Sequence, residues 1–147
     1  MLKDLPDHYD ADIIIKLYDL RREAVMRESR RRVFMEFWPA SADDVLAAYQ
    51  PTHPLNAALR QIVGYWEMVF GMARHGIVHT DYLVENSTEG LNLFARLEPY
   101  IPVVRERLSP RFLLNAEWVV KNSTLAPEIL ARMRSAVQQR LAAKAGS

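Results

Sequence analysis

Residues 54–74 read PLNAALRQIVGYWEMVFGMAR, and this stretch decides the fold. Leu55, Leu59, Ile62, Trp66, Val69 and Ala73 recur at alternating spacings of four and three, the apolar seam of an α-helix. At about 100° per residue, Ala58, Tyr65 and Met72 widen the seam on one side and Val63 and Phe70 on the other. Opposite lies a narrow polar strip of Asn56, Arg60, Glu67 and Arg74. Beside it Ala57, Gly64 and Gly71 repeat every seven residues and leave a smooth ridge. A helix apolar over half its circumference needs neighbours on several sides. It is the central helix of an all-α protein.

The flanking sequence supplies those neighbours. Downstream, Gly76 stops the central helix in a left-handed turn, with Ile77 placed to fold back on it. Thr80 and Asp81 open a second long helix whose apolar face is Leu83, Phe94, Leu97 and Ile101, with the small residues Ser87 and Gly90 on that face. Small residues facing the glycine ridge predict close approach, near the lower end of the roughly 8–10 Å range. The short connection makes an antiparallel helical hairpin of residues 54–75 and 80–98. Pro99 and Pro102 bend the chain through Leu108. Ser109 and Pro110 start a helix to Lys121, and Pro127 sits near the start of a last helix with an inner stripe of Leu130, Met133, Val137 and Leu141.

Upstream, residues 10–38 carry a helical pattern that no glycine or proline interrupts, so one long helix is expected. Its stripe of Ile13, Leu17, Leu20 and Ala24 gives way to Met26, Val33, Phe34 and Phe37 on another side. That shift predicts a bend, or burial against two partners, one of them a second subunit. Pro39 ends this helix, Ser41 and Asp44 form a capping box for a short helix through Tyr49, and Thr52 and Pro54 lead into the central helix. The expectation is one helical domain, residues 1–147, a bundle of five to six helices around the hairpin, with flexible ends at 1–8 and 144–147.

Composition narrows the function classes. A chain of 147 residues can bury a core without staples, and zero cysteines exclude disulfides, thiolate metal sites and a cysteine nucleophile. A net charge of +1 gives no global attraction to nucleic acid or anionic lipid. The first twenty residues hold five acidic positions and no apolar run of signal-peptide length, and no stretch reaches the length of a membrane span. A cytoplasmic location follows as the expectation, with the Asn-Ser-Thr triplets at Asn86 and Asn122 read as chance.

Candidate chemistry is sparse. Arg21, Arg22, Arg27, Arg30, Arg31 and Arg32 form a basic stretch that could follow a phosphate backbone. Glu23 and Glu28 stand four residues before Arg27 and Arg32, however, and the arginines point around the whole helix, so a solvated, paired face is favoured and nucleic acid is not the expected partner. His75 and His79 are four apart but straddle the Gly76 turn, with Asp81 beyond. Neither a zinc-protease nor a di-iron pattern accompanies them, and no metal or cofactor is expected. Glu67 on the central helix invites a general-base role, but arginines within reach, Arg105 among them, favour a structural ion pair. No phosphate loop, dinucleotide motif or nucleophile elbow is present, and no catalytic residue is assigned.

The segment from Trp66 to Arg105 resembles a family of bacterial helical proteins known only as a domain of unknown function. The shared features are the Trp66-Glu67 helix, a Gly76-Ile77 turn ending in Thr80-Asp81, a second helix, then Pro99-Tyr100-Ile101 and Arg105. The resemblance implies an all-helical fold and no particular activity; a Glu67–Arg105 pair clipping the hairpin would account for both residues. The leading reading is a non-enzymatic interaction or scaffold protein forming a homo-oligomer, a dimer in the favoured case. Nucleic-acid binding through residues 21–32 comes second, and a small-ligand or metal enzyme using Glu67 and the His75–Asp81 turn third.

Overall fold

Residues 10–38 do not form one helix. In the computed structural model, which describes residues 2–146, α1 spans His8–Leu20 and α2 spans Ala24–Glu36. Glu23 makes the break: its carboxylate turns back to accept from the N–H groups of Val25 and Met26 at 3.1 and 2.9 Å, capping α2. The reoriented helix explains the shifted stripe. Met26, Val33 and Phe37 are buried, and α2 packs along the central helix of the same chain, so the shift needs no second subunit.

The short helix α3, Ala42–Ala48, has the anticipated Ser41 cap, whose hydroxyl accepts from the Asp44 N–H at 3.1 Å. Asp44 returns the bond to the Ala40 N–H rather than to Ser41. The central helix α4 is Asn56–Arg74 and begins without a side-chain cap, so Thr52 does not serve as one. It stops at Gly76, where φ is 73°. The N–H groups of Ile77 and Val78 both donate to the Met72 carbonyl, and Val78 rather than Ile77 tucks into the core.

A second break divides residues 80–97 into α5, Thr80–Glu85, and α6, Thr88–Leu97. After a 3-10 turn at Glu98–Tyr100 come α7, Ile101–Arg107, then α8, Leu114–Asn122, which starts later than Ser109 suggests, and α9, Ala126–Ala145. Both Asn-Ser-Thr triplets are helix junctions. The Asn86 and Asn122 amides each donate at 2.8 Å to the carbonyl four residues back, closing α5 and α8. After Asn122, Ser123 Oγ accepts from the N–H groups of Leu125 and Ala126 and opens α9.

These elements share one contiguous apolar core. α4 lies at its centre, flanked by α2 and α8, with α5 at its C-terminal end; α6 packs mainly against α9, and α3 against α7. The anticipated long hairpin is therefore recast, and so is the partner of the glycine ridge. Gly90 of α6 meets the aromatic side of α4, where an added Cβ would fall 2.6 Å from Phe70 and 2.7 Å from Trp66. Gly71 instead lies under Asn115 of α8, at 2.8 Å from an added Cβ, and Gly64 faces open space. At the chain ends, Lys3 pairs with Asp7 and Asp10, and α9 continues through Ala145; Met1 and Ser147 lie outside the described residues.

Urea denaturation separates the two kinds of glycine. Gly90→Ala, which forces two aromatic rings aside, costs about 1–3 kcal/mol. Gly64→Ala, with nothing within 4 Å, stabilises by about 0.5–1 kcal/mol through helix propensity alone.

Candidate functional site

Leu113 precedes α8 with φ of 55°, the left-handed region that a bulky side chain rarely enters. A leucine offers no oxygen to the free N–H groups of the first turn, which belong here to Asn115 and Ala116. Glu67, from the polar strip of α4, supplies it: its two carboxylate oxygens accept from Asn115 N–H at 3.1 Å and Ala116 N–H at 2.8 Å. The Asn115 side-chain amide donates back to the Glu67 backbone carbonyl at 3.0 Å, and Arg74 donates to Asn115 Oδ1 at 3.0 Å. Asn115 can lie this close because Gly71 beneath it has no side chain.

Burial raises the pKa of Glu67 above the ordinary carboxylate value, opposed by the two backbone N–H groups and then by Arg105 and Arg74. Arg105 does not pair with it directly. Its Nε donates to the Phe112 carbonyl at 2.9 Å, and Nη1 faces the Glu117 carboxylate at 3.4 Å. Glu67 and Arg105 thus grip the same junction, residues 112–117, from two sides, where an ion pair across a hairpin was anticipated.

Next to this cap is a groove of about 330 Å³ lined by Tyr49, Arg60, Gly64, Arg111, Phe112 and Leu113, with Glu67 at its edge. Tyr49 is only 6% exposed, its ring lies edge-on to Phe112, and its hydroxyl has no hydrogen-bond partner. Burial pushes the Tyr49 phenol well above its usual pKa, with Glu67 adding to the rise and Arg60 opposing it. Arg60 stacks 5.1 Å over that ring and donates to the Tyr49 carbonyl at 2.8 Å.

Four of the six arginines of the basic stretch are ion-paired. Arg30 and Arg21 share Glu89 of α6, at 2.9 and 3.6 Å, and Arg21 stacks on Tyr18 and Trp66. Arg31 pairs with Glu28, Arg32 with Glu36, and Arg27 donates to the Arg22 carbonyl; Arg22 is exposed. The pairings differ from the anticipated Glu23–Arg27 and Glu28–Arg32 because Glu23 is spent as a cap.

The His75–Asp81 turn does not open onto the Glu67 groove. His79 Nδ1 accepts from the Tyr82 N–H and caps α5, while the His79 backbone N–H donates to the fully buried Asp10. Asp81 accepts from the Ser123 and Thr124 hydroxyls and the Thr124 N–H, which holds its pKa below the ordinary value against the opposing effect of burial. Among the described residues no cluster of acidic and histidine side chains is arranged to hold a metal.

One residue escaped sequence reasoning altogether. Arg96 of α6 is 4% exposed and donates to the carbonyls of Val33, Phe34 and Phe37, the C-terminal end of α2. Its guanidinium lies 3.5 Å over the Trp38 ring and takes an Asn92 oxygen as its side-chain acceptor. Burial, with Arg140 nearby, lowers its pKa to about 10, which leaves it charged at neutral pH.

Compared with known proteins, residues 8–123 match the family described as a domain of unknown function, DUF4760. No curated protein and no solved structure matches.

Two stability measurements test this geometry. Glu67→Ala, which orphans two partly buried N–H groups, costs about 1–3 kcal/mol, whereas Glu28→Ala on the exposed surface leaves the melting temperature unchanged. For Asp81, whose folded pKa lies below the ordinary 3.8, stabilisation is complete above that value and lost as pH falls through the folded pKa. Asp81→Asn is therefore less stable at pH 6 and has a flatter acid limb than the wild type in pH-dependent melts.

Proposed function

The chain belongs to the DUF4760 family, and from its surface we propose that it is a non-enzymatic interaction module that self-associates through its first two helices. The distribution of exposed apolar side chains carries this reading. Of the twelve large hydrophobic residues exposed among the described residues, eight fall within the first 35: Leu2, Leu5, Tyr9, Ile15, Tyr18, Leu20, Val25 and Met35. On α1, Ile15 and Tyr18 are 67% and 60% exposed and continue a strip with Ala11 and Ile14, beside the buried line of Asp10 and Leu17. Such concentration of apolar surface marks a contact face.

The chemistry of the buried and half-buried polar groups supports the same reading. Glu67, Asp10, Asp81 and His79 are each engaged at helix ends or junctions, and the Ser123 and Thr124 hydroxyls that Asp81 holds belong to the start of α9. Four of the six arginines are ion-paired with Glu89, Glu28 and Glu36, which weakens the attraction of the stretch for a phosphate backbone. A closed twofold dimer places the same strip on both partners, which suits a self-complementary apolar face. We take the whole chain as one cytoplasmic domain. Among the described residues no helix is long and apolar enough to cross a membrane.

Light scattering coupled to gel filtration provides the test. A dimer is expected at high concentration, and Ile15→Asp with Tyr18→Asp yields a monomer of unchanged helical circular dichroism. A wild-type chain that stays monomeric at every concentration, or a dimer indifferent to the double variant, defeats the proposal. Random DNA and RNA at low salt should give no gel shift.

A further inference from the structure

The groove over Gly64 holds three features that the fold itself does not require. First is the glycine. Gly71 and Gly90 are crowded by neighbours, but an added Cβ at Gly64 meets nothing within 4 Å. Mid-helix glycine weakens a helix relative to alanine, so here the chain keeps a bare stretch of backbone without a packing reason. Second is the Tyr49 hydroxyl, buried and without a partner although Arg60 and Glu67 line the same groove. Arg60 is engaged with the Tyr49 carbonyl and ring, and both oxygens of Glu67 are committed to α8. Third is Leu113, held in left-handed backbone at the groove wall.

We infer that this groove binds a small organic anion, an apolar carboxylate, with its body against the bare backbone at Gly64 and its acid group among Arg60, Arg111 and the Tyr49 hydroxyl. The charge balance selects the class. The lining holds two arginines, Arg60 and Arg111, and one carboxylate, Glu67, which leaves one net positive charge. Among the described residues the Arg111 guanidinium has no protein partner, and an acceptor would also satisfy the Tyr49 hydroxyl. Val63, Phe112 and Leu113 give an apolar floor, which suits a hydrocarbon body and not a bare inorganic ion. The α8 N-terminus, which would otherwise attract a phosphate, is already occupied by Glu67. The volume of about 330 Å³ lies at the small end of ligand pockets. The site is independent of the α1 face, so self-association and binding stand or fall separately.

The test uses the full chain with benzoate and octanoate as probes and benzyl alcohol as the neutral control, read by saturation-transfer NMR and thermal shift. At least one carboxylate should bind and raise the melting temperature, with benzyl alcohol much weaker. Gly64→Leu, which fills the groove, should melt no lower than the wild type and lose the carboxylate shift. Tyr49→Phe and Arg111→Gln should each weaken binding by about tenfold. The inference is overturned if neither carboxylate binds, if benzyl alcohol binds equally well, or if Gly64→Leu binds like the wild type. A Gly64→Leu chain that melts lower than the wild type also overturns it, because the groove wall is then not open.

Discussion

A helix that opens on a left-handed leucine has no side-chain oxygen of its own for its first N–H groups, and α4 lends α8 one. The Glu67 carboxylate stands in for an N-cap side chain, reaching 48 residues along the chain to Asn115. With Asn115 and Arg74 closing the loop of hydrogen bonds, the contact between α4 and α8 is a fixed register and not merely apolar packing. The missing side chain at Gly71 and the grip of Arg105 on Phe112 both follow from bringing that junction against α4.

The same device recurs throughout the molecule. Arg96 closes the carbonyl end of α2 from α6, Asp10 of α1 accepts from the N–H of His79 ahead of α5, and Asp81 accepts from Thr124 ahead of α9. Tyr65 of α4 donates to the Leu17 carbonyl in the last turn of α1. Short helices carry a large share of unsatisfied end groups, four at each terminus. In a chain cut into such pieces the polar interior is organised around helix ends, and distant side chains tie one element to another there. Charged residues that a sequence offers as candidates for catalysis are consumed by this task.

This division explains what was legible in advance. The seam of α4, the left-handed stop at Gly76, the Ser41 cap and the stripe of α9 rest on local periodicity or local capping, and all are visible in a short window. The breaks at Glu23 and Asn86 were not, because both residues are compatible with a continuing helix and are diverted by side-chain bonds to nearby backbone. The roles of Glu67 and Arg96 were hidden for a different reason. Their partners are backbone N–H and C=O groups, which every residue carries, so no complementary residue type marks them. An arginine was sought for Glu67, and two amides were found. Arg105, the arginine expected to pair with Glu67, bonds instead to the Phe112 carbonyl and faces Glu117.

Arg96 carries a consequence for incompletely packed states. Its guanidinium can leave water only when α2 has presented its last carbonyls and Trp38 has closed over it, a meeting of residues about sixty positions apart. Closing so long a loop costs chain entropy before any reward is collected, and stripping a cation halfway would leave it without acceptors. Arg96 therefore penalises any partly assembled state in which it has lost water but not yet met the last carbonyls of α2.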